Sequence, residues 1–450
     1  MRNIYTKFAY FILSGFAVIC LYLLAISFKK YGLSLTVNII ICQLFLISTV
    51  IASVWGIYCR KKWRINLSLV LISLLFGVYV SEIFLSLYPH KGPLKHRVLI
   101  AKEKGVEFNE KTGFETAKHL NKQGDEIFLP IFPDYIIRQD GLIGENGNKM
   151  FPLGGLSETK NIFGNESGVW TVLCNDEHGF NNPPGLYNTK NIDIVLLGDS
   201  FTHGYSVKEG EDIGSRLREF GRRVLNLGNS AFGPLLEFAT FKEYAVSLKP
   251  KIVLWLYSEQ NDISNLEIEM TSSLLMGYLN GNFTQDLATR QNEIDKVIRS
   301  SYKKYVKPFS YKQKKISGKR KLFNMARLKN LRLRLTYKKP TLISKSTFLL
   351  FKEILRETSK TASSWGGKLY FVYLPAWERY RGNINLHDLK YRDEVLNIVR
   401  SIDIPIIDMH KSFTAQPDPL IFFPFRYFGH YNKEGYAYVA KVINKRLNGL

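Results

Sequence analysis

The stretch IVLLGDSFTHG, Ile194 to Gly204, passes within a few residues from an apolar run to glycine, acid, serine and glycine. In open parallel sheets, ligands bind beyond the carboxyl ends of the strands. Ser200 stands at such an end. Gly198 and Gly204 let the backbone turn tightly around it. A helix beginning there would bring backbone N–H groups and a positive dipole end to the hydroxyl. Serine is a weak nucleophile without a base in hydrogen-bond reach, and histidine is the usual base. His430, in FGHYNKEGY, stands just before the last helical pattern. Two other strand ends carry polar groups, NLGNSAFGP (Asn226 to Pro234) and YSEQND (Tyr257 to Asp262). An asparagine after a buried parallel strand can aim its amide at a developing oxyanion, which makes Asn261 a candidate. A serine in a GDS turn could equally be a polar cap; the matching groups at other strand ends favour chemistry.

These residues need a scaffold, and the pattern supplies one. Apolar runs at IDIVLL, RRVLNL, KIVLWLY, KLYFVYL and IPIIDM read as strands. Helical patterns run between them over 211–220, 235–248, 344–364 and 386–401, with a last one over 432–447. Continuous apolar strands separated by helices predict a parallel sheet covered on both faces. The stretch of about 264–342 interrupts this alternation and is long enough for a lid or side lobe. Residues 91–185 read as an irregular or β-rich lead-in, and 186–450 as the main domain.

GDSFTHG, NLGNSAFG, NDI and GHYNKEGY, in that order, resemble the SGNH (GDSL) hydrolase family. CNDEHGFNNP, Cys174 to Pro183, is similar to the lead-in of some membrane-attached members. The resemblance covers about Asp193 to the C-terminus without the insertion. It implies an α/β fold, a three-layer α/β/α sandwich. It also implies Ser200 as nucleophile and His430 as base. The oxyanion hole would be the Ser200 N–H, a second-block N–H at Ala231 and the Asn261 side chain. Ala231 stands where the family usually has glycine, and Gln260 where glycine is common before the asparagine. The family's aspartate two or three residues before the histidine is missing, for Tyr427 and Phe428 occupy those positions. Asp418, in QPDP, or Glu434 is the candidate replacement. A backbone carbonyl holding the ring would instead leave a Ser–His dyad.

The remaining polar residues near these blocks have plainer readings. Asp408 and His410, in IIDMH, read as strand-end groups, Asp199 as a turn stabiliser and His178 as structural. His203 is too close in sequence to Ser200 to serve easily as its base. Glu259 reads either as a substrate contact or as the partner of a neighbouring arginine.

The chain has 450 residues and a net charge of +23. Three apolar runs, Phe8 to Phe28, Leu35 to Cys59 and Ile65 to Tyr88, each reach the ~20 residues a bilayer span requires. Residues 1–90 are therefore expected to be a three-helix transmembrane anchor. Arg60, Lys61, Lys62 and Arg64 mark the second link as cytoplasmic. The large domain would then face outward from a bacterial inner membrane, although Lys91, Lys95 and Arg97 weigh the other way. Cys20, Cys42 and Cys59 lie in the runs and Cys174 is alone beyond them, so no disulfide framework or zinc cluster is expected. Neither a metal nor an organic cofactor is implied.

From Lys296 to Lys339 there is no Asp or Glu, while Lys and Arg recur. Beside membrane spans, that run suits an anionic lipid surface or a solvated face; no nucleic-acid motif accompanies it. The expected activity is ester hydrolysis on O-acyl groups of envelope glycans or on lipid esters. The alternatives are an O-acyltransferase on such glycans and an inactive glycan or lipid binder.

Overall fold

A computed structural model describes residues 2–31, 37–87, 93–144, 147–188, 192–311, 318–335, 342–381 and 389–449. They form two compact units, Lys91–Lys314 with Pro340–Leu450, and Met1–His90 with Lys315–Lys339. The lead-in thus belongs to the same unit as the predicted sheet. The basic run is divided, and its second half joins the apolar N-terminal helices.

In the larger unit, short strands come first: β1 (Ile127–Phe128), β2 (Leu142–Ile143), β3 (Lys149–Met150), β4 (Lys160–Phe163) and β5 (Thr171–Cys174). β4 and β5 pair antiparallel, with β1 parallel to β4 on the other side. Helices at Pro93–Glu103 and Gly113–Lys122 precede them, so the lead-in is more helical than the sequence suggests. The main sheet follows as β6 (Ile194–Gly198), β7 (Val224–Asn226), β8 (Ile252–Ser258), β9 (Lys368–Leu374) and β10 (Ile406–Asp408). All five are parallel, in the order β10-β9-β8-β6-β7. The chain leaves β6 for β7 on one side and returns to β8 on the other. The strand order therefore reverses at β6, the strand that leads into Ser200.

Alternate residues of each strand supply two cores. Val195, Leu197, Trp255, Phe371 and Tyr373 face one layer, with Leu235, Phe351, Ile354 and Leu396 from the helices at Pro234–Thr240, Lys345–Ser363 and Arg392–Arg400. Ile194, Leu196, Leu254, Leu256 and Val372 face the other. There Ile213, Met409, Val439 and Ile443 come from the helices at Ile213–Glu219, Met409–Thr414 and Lys433–Asn448. Burial on both faces is why these strands read as unbroken apolar runs. Part of the predicted helix over 386–401 lies outside the described residues.

The smaller unit contains α1 (Arg2–Tyr31), α2 (Val37–Tyr58) and α3 (Lys61–Leu87). Two stretches, Ile4–Lys29 and Lys61–Leu87, are long and apolar enough to cross a membrane. In α2 the qualifying apolar run is shorter, Gln43–Tyr58, so two helices rather than three meet the expectation among the described residues. Arg64 folds back, and its guanidinium donates to the Cys59 carbonyl at 2.7 Å.

Phe371 lies in β9 with no solvent exposure. Phe371→Ala is expected to destabilise the larger unit by about 3–5 kcal/mol. Denaturant unfolding of the purified full chain checks this; a loss under about 1 kcal/mol would show that the layer relaxes around the cavity.

Candidate active site

Ser200 begins a four-residue helix, Ser200–His203, at the end of β6. Asp199 caps it, its carboxylate accepting from the Phe201 N–H at 2.8 Å. Gly198 makes the turn possible. Its φ is +155°, and a Cβ there would crowd Thr202 and lie 2.7 Å from the Leu256 carbonyl. The hydroxyl of Ser200 therefore leaves the sheet at one fixed place.

His430 meets it. Ser200 Oγ and His430 Nε2 are 2.7 Å apart. The imidazole lies between Phe201 and Tyr205, with ring centroids at 4.6 and 4.4 Å. On its far side His430 Nδ1 faces Glu166 Oε1 at 3.3 Å, and the His430 backbone N–H donates to Glu166 Oε2 at 2.6 Å. A proton on Nδ1 shared with that carboxylate leaves Nε2 free to accept from the serine. Glu166 is buried and ion-paired with Arg97 at 3.0 Å. Burial pushes the Glu166 carboxyl up, but His430 and then Arg97 outweigh it and hold it below its ordinary range. Arg97 also donates to the Phe428 carbonyl. Gly429 lets these groups converge: at φ +149°, a Cβ there would run into the Glu166 carboxylate and lie 2.7 Å from Arg97 Nη2.

The other strand ends reach the same place. The Asn229 N–H donates to the Gly198 carbonyl at 3.1 Å, which docks the loop after β7 against the serine turn. In that loop Ala231 adopts φ +64°, a left-handed conformation that favours glycine. After β8, Asn261 Oδ1 accepts from Ser258 Oγ at 2.9 Å. Its amide also acts on the Asp199 carboxyl, favouring the charged form against burial.

Four buried carboxyls near the serine turn are all shifted upward. Burial pushes Asp199 up, offset in part by His430 and by hydrogen bonds. Glu237 and Asp262 are both raised well above normal, first by burial and then by neighbouring carboxylates. Glu269 is raised to about 8 by burial, against three backbone N–H bonds. Glu166, held low, is thus the carboxylate that faces His430, while burial pushes Asp199, Glu237, Asp262 and Glu269 the other way.

The structure brings Ser200, His430, Asn261 and the Ala231 loop to one end of the sheet. It does not bring Asp418 or Glu434 to His430. Asp418 caps its own turn through the Leu420 N–H at 3.0 Å and pairs with Arg426 at 2.7 Å. Glu434 points to Lys433 at 3.8 Å on the surface. Glu166, from the turn between β4 and β5, takes the place foreseen for them. Arg97, counted from sequence only among the charges that weigh on membrane orientation, is buried in the same cluster. Glu259 forms a bidentate pair with Arg379, with both carboxylate oxygens 2.7 Å from Nε. Asp408 pairs with Arg392, and His410 Nδ1 lies 3.0 Å from the Tyr380 hydroxyl. His178 packs against Tyr187 at 4.4 Å. His203 turns away and packs on Phe163 at 4.2 Å. Among the described residues no group of His, Cys, Asp and Glu is arranged to hold a metal.

Past Tyr205 lies an apolar hollow of about 360 Å³, walled by Phe114, Phe132, Phe163, Trp170, Tyr205 and Phe309.

No family model matches the chain, and no curated protein matches it significantly. The solved structures it is similar to include a lipase/acylhydrolase from Enterococcus faecalis, at 15% identity over 57% of this chain and 95% of that one, with a TM-score of 0.33. Another is a GDSL-like lipase from Bacteroides thetaiotaomicron, at 11% identity over 57% and 88%, with a TM-score of 0.29. A third is an acetyl xylan esterase, at 11% identity over 57% and 100%, with a TM-score of 0.31.

Burial lowers His203 to about 4. The unfolded chain therefore takes up a proton near pH ~6.5 that the folded chain refuses, and stability falls as pH drops from there toward about 4. Relative to His203→Phe, the wild type is expected to lose about 2 kcal/mol between pH ~7 and ~5. Unfolding curves of both proteins across that range check the slope; parallel curves would refute it.

Proposed function

We propose that the chain is a membrane-anchored serine ester hydrolase of the SGNH type. The observation that carries this is the contact of Ser200 Oγ with His430 Nε2 at 2.7 Å, with Glu166 behind the ring. Ser200 Oγ attacks the ester carbonyl carbon as His430 Nε2 takes the hydroxyl proton. The ionised Glu166 stabilises the imidazolium that forms. The oxyanion is met by the Ser200 N–H, the Ala231 N–H and the Asn261 amide. The intermediate then expels the alcohol, which receives the proton from His430, and an acyl-enzyme remains. Water, deprotonated by His430, attacks the acyl carbon; the bond to Ser200 Oγ breaks, Oγ takes the proton back from His430, and the acid is released.

The substrates this reading favours are O-acyl groups on envelope glycans or lipid esters. The apolar hollow beside Tyr205 supports a substrate with an acyl chain. The anchor reading also takes α2 as a crossing, since its 22 residues are long enough to span a bilayer although its qualifying apolar run is the shorter Gln43–Tyr58. With the Arg60–Arg64 link cytoplasmic, three crossings put the larger unit outside the inner membrane.

The purified protein is expected to react with a fluorophosphonate probe, and Ser200→Ala and His430→Ala are expected to abolish labelling. Glu166→Gln keeps the shape but not the charge, and is expected to lower kcat on a p-nitrophenyl ester by ~10²–10⁴ with little change in KM. No labelling of a folded sample would leave a binding protein. Full activity in Glu166→Gln would remove the carboxylate from the mechanism.

Cys174 is exposed in the larger unit and tests the orientation. A membrane-impermeant maleimide is expected to label it in intact cells, and Cys174→Ser to abolish that label. Labelling only after lysis would place the unit on the cytoplasmic side.

A further inference from the structure

α3 carries one acid in an otherwise apolar C-terminal half. Glu82 has no solvent exposure. One carboxylate oxygen accepts from the Asn330 N–H at 3.0 Å and Asn330 Nδ2 at 2.8 Å, and the other from the Leu331 N–H at 2.7 Å. These donors belong to the first turn of the helix Lys329–Leu335. Tyr79, three residues earlier on the same face of α3, donates to the Ala326 carbonyl at 3.2 Å. Ala326 ends the helix Gly318–Ala326. Both helices of this hairpin are therefore fastened to the last turns of α3, close to where a crossing helix meets the headgroups.

The hairpin is built for that place. Between Gly318 and Leu335 it carries seven Lys or Arg and no Asp or Glu. Leu322 and Phe323 stay 68% and 58% exposed. The Arg327 guanidinium sits over the Phe323 ring, 5.0 Å from its centroid. A basic segment that is merely solvated needs neither exposed apolar side chains nor a buried pin. Helices that combine Lys and Arg with Leu and Phe lie in the plane of the interface, and polybasic segments beside a span are drawn to anionic lipid.

We propose that Gly318–Leu335 is a binding surface for anionic phospholipid, pinned to α3 by Glu82. Its positive charges meet the phosphate groups. Leu322 and Phe323 enter the headgroup–acyl boundary. This assignment is independent of the serine chemistry.

The test uses the full chain in nanodiscs of phosphatidylcholine with a minor share of phosphatidylglycerol, and native mass spectrometry of the lipid that stays bound. The wild type is expected to retain phosphatidylglycerol well above its share, and to lose this preference as salt is raised to about 0.5 M. Replacing Lys319, Arg320, Lys321, Arg327 and Lys329 by Gln is expected to cut the preference at least ~tenfold. Glu82→Ala keeps every basic residue, and is expected to lose it too. Retained lipid that simply mirrors the mixture, a preference unmoved by salt, or a preference kept in either variant would overturn the proposal. So would displacement of phosphatidylglycerol by an acidic glycan or oligonucleotide at equal charge. The salt arm needs only wild-type protein, so a misfolded variant does not rescue the idea.

Discussion

Glu166 carries a negative charge where charge is costly. A carboxylate taken out of water loses several kcal/mol of solvation, and removing one partner of such a buried pair costs about 3–5 kcal/mol. The Arg97 guanidinium, the His430 backbone N–H and His430 Nδ1 together offset that loss. Each comes from a different part of the chain: Arg97 from the helix at Pro93–Glu103, Glu166 from the β4–β5 turn, and His430 from the loop before the last helix. The lead-in is held to the main sheet at the point where its charge is needed. Gly429 is required because no side chain fits between the carboxylate and the guanidinium.

The sheet does the rest of the positioning. Because the strand order reverses at β6, the loops after β7 and β8 both open beside the turn that holds Ser200. The serine turn, a left-handed Ala231 and Asn261 at the start of its helix meet without a long loop having to fold back. The buried carboxyls beside them, Asp199 and Asp262, are both pushed up by burial. A carboxyl whose pKa is raised carries less negative charge at a given pH than a solvated one, which lessens repulsion of any negative charge developing at Ser200. Around the histidine, Glu166 stands on one side of the ring and Ser200 on the other.

Much of this is legible in the sequence. Strands buried on both faces read as apolar runs, so all five of the sheet, and their order along the chain, can be marked from the residues alone. Ser200, Asn261 and His430 stand out because each follows such a run or precedes the last helix. Glu166 does not. It lies 264 residues from His430, in a glycine-rich turn, NIFGNESGVW, whose composition signals only a loop. A search near the histidine leads to Asp418 and Glu434, which are engaged in local surface pairs. What proximity in sequence does not show is that an acid can orient a base from another element, provided that a cation such as Arg97 makes its burial tolerable.

The basic run shows the same lesson in reverse. Composition reveals its charge but not its place. The clue is a different residue, Glu82, the one acid in the apolar stretch before Pro89. An ionisable side chain in such a helix is expensive unless a partner meets it. The cheapest partners are backbone N–H groups at a helix start, which are unsatisfied in any case. Asn330 and Leu331 supply them. The charge run therefore divides where it does because its second half answers a buried acid, while its first half, in the helix Gln291–Tyr311, belongs to the larger unit. Glu82 and Glu166 solve one problem at two sites: each buried carboxylate recruits a segment distant in sequence, and by recruiting it fixes the architecture around itself.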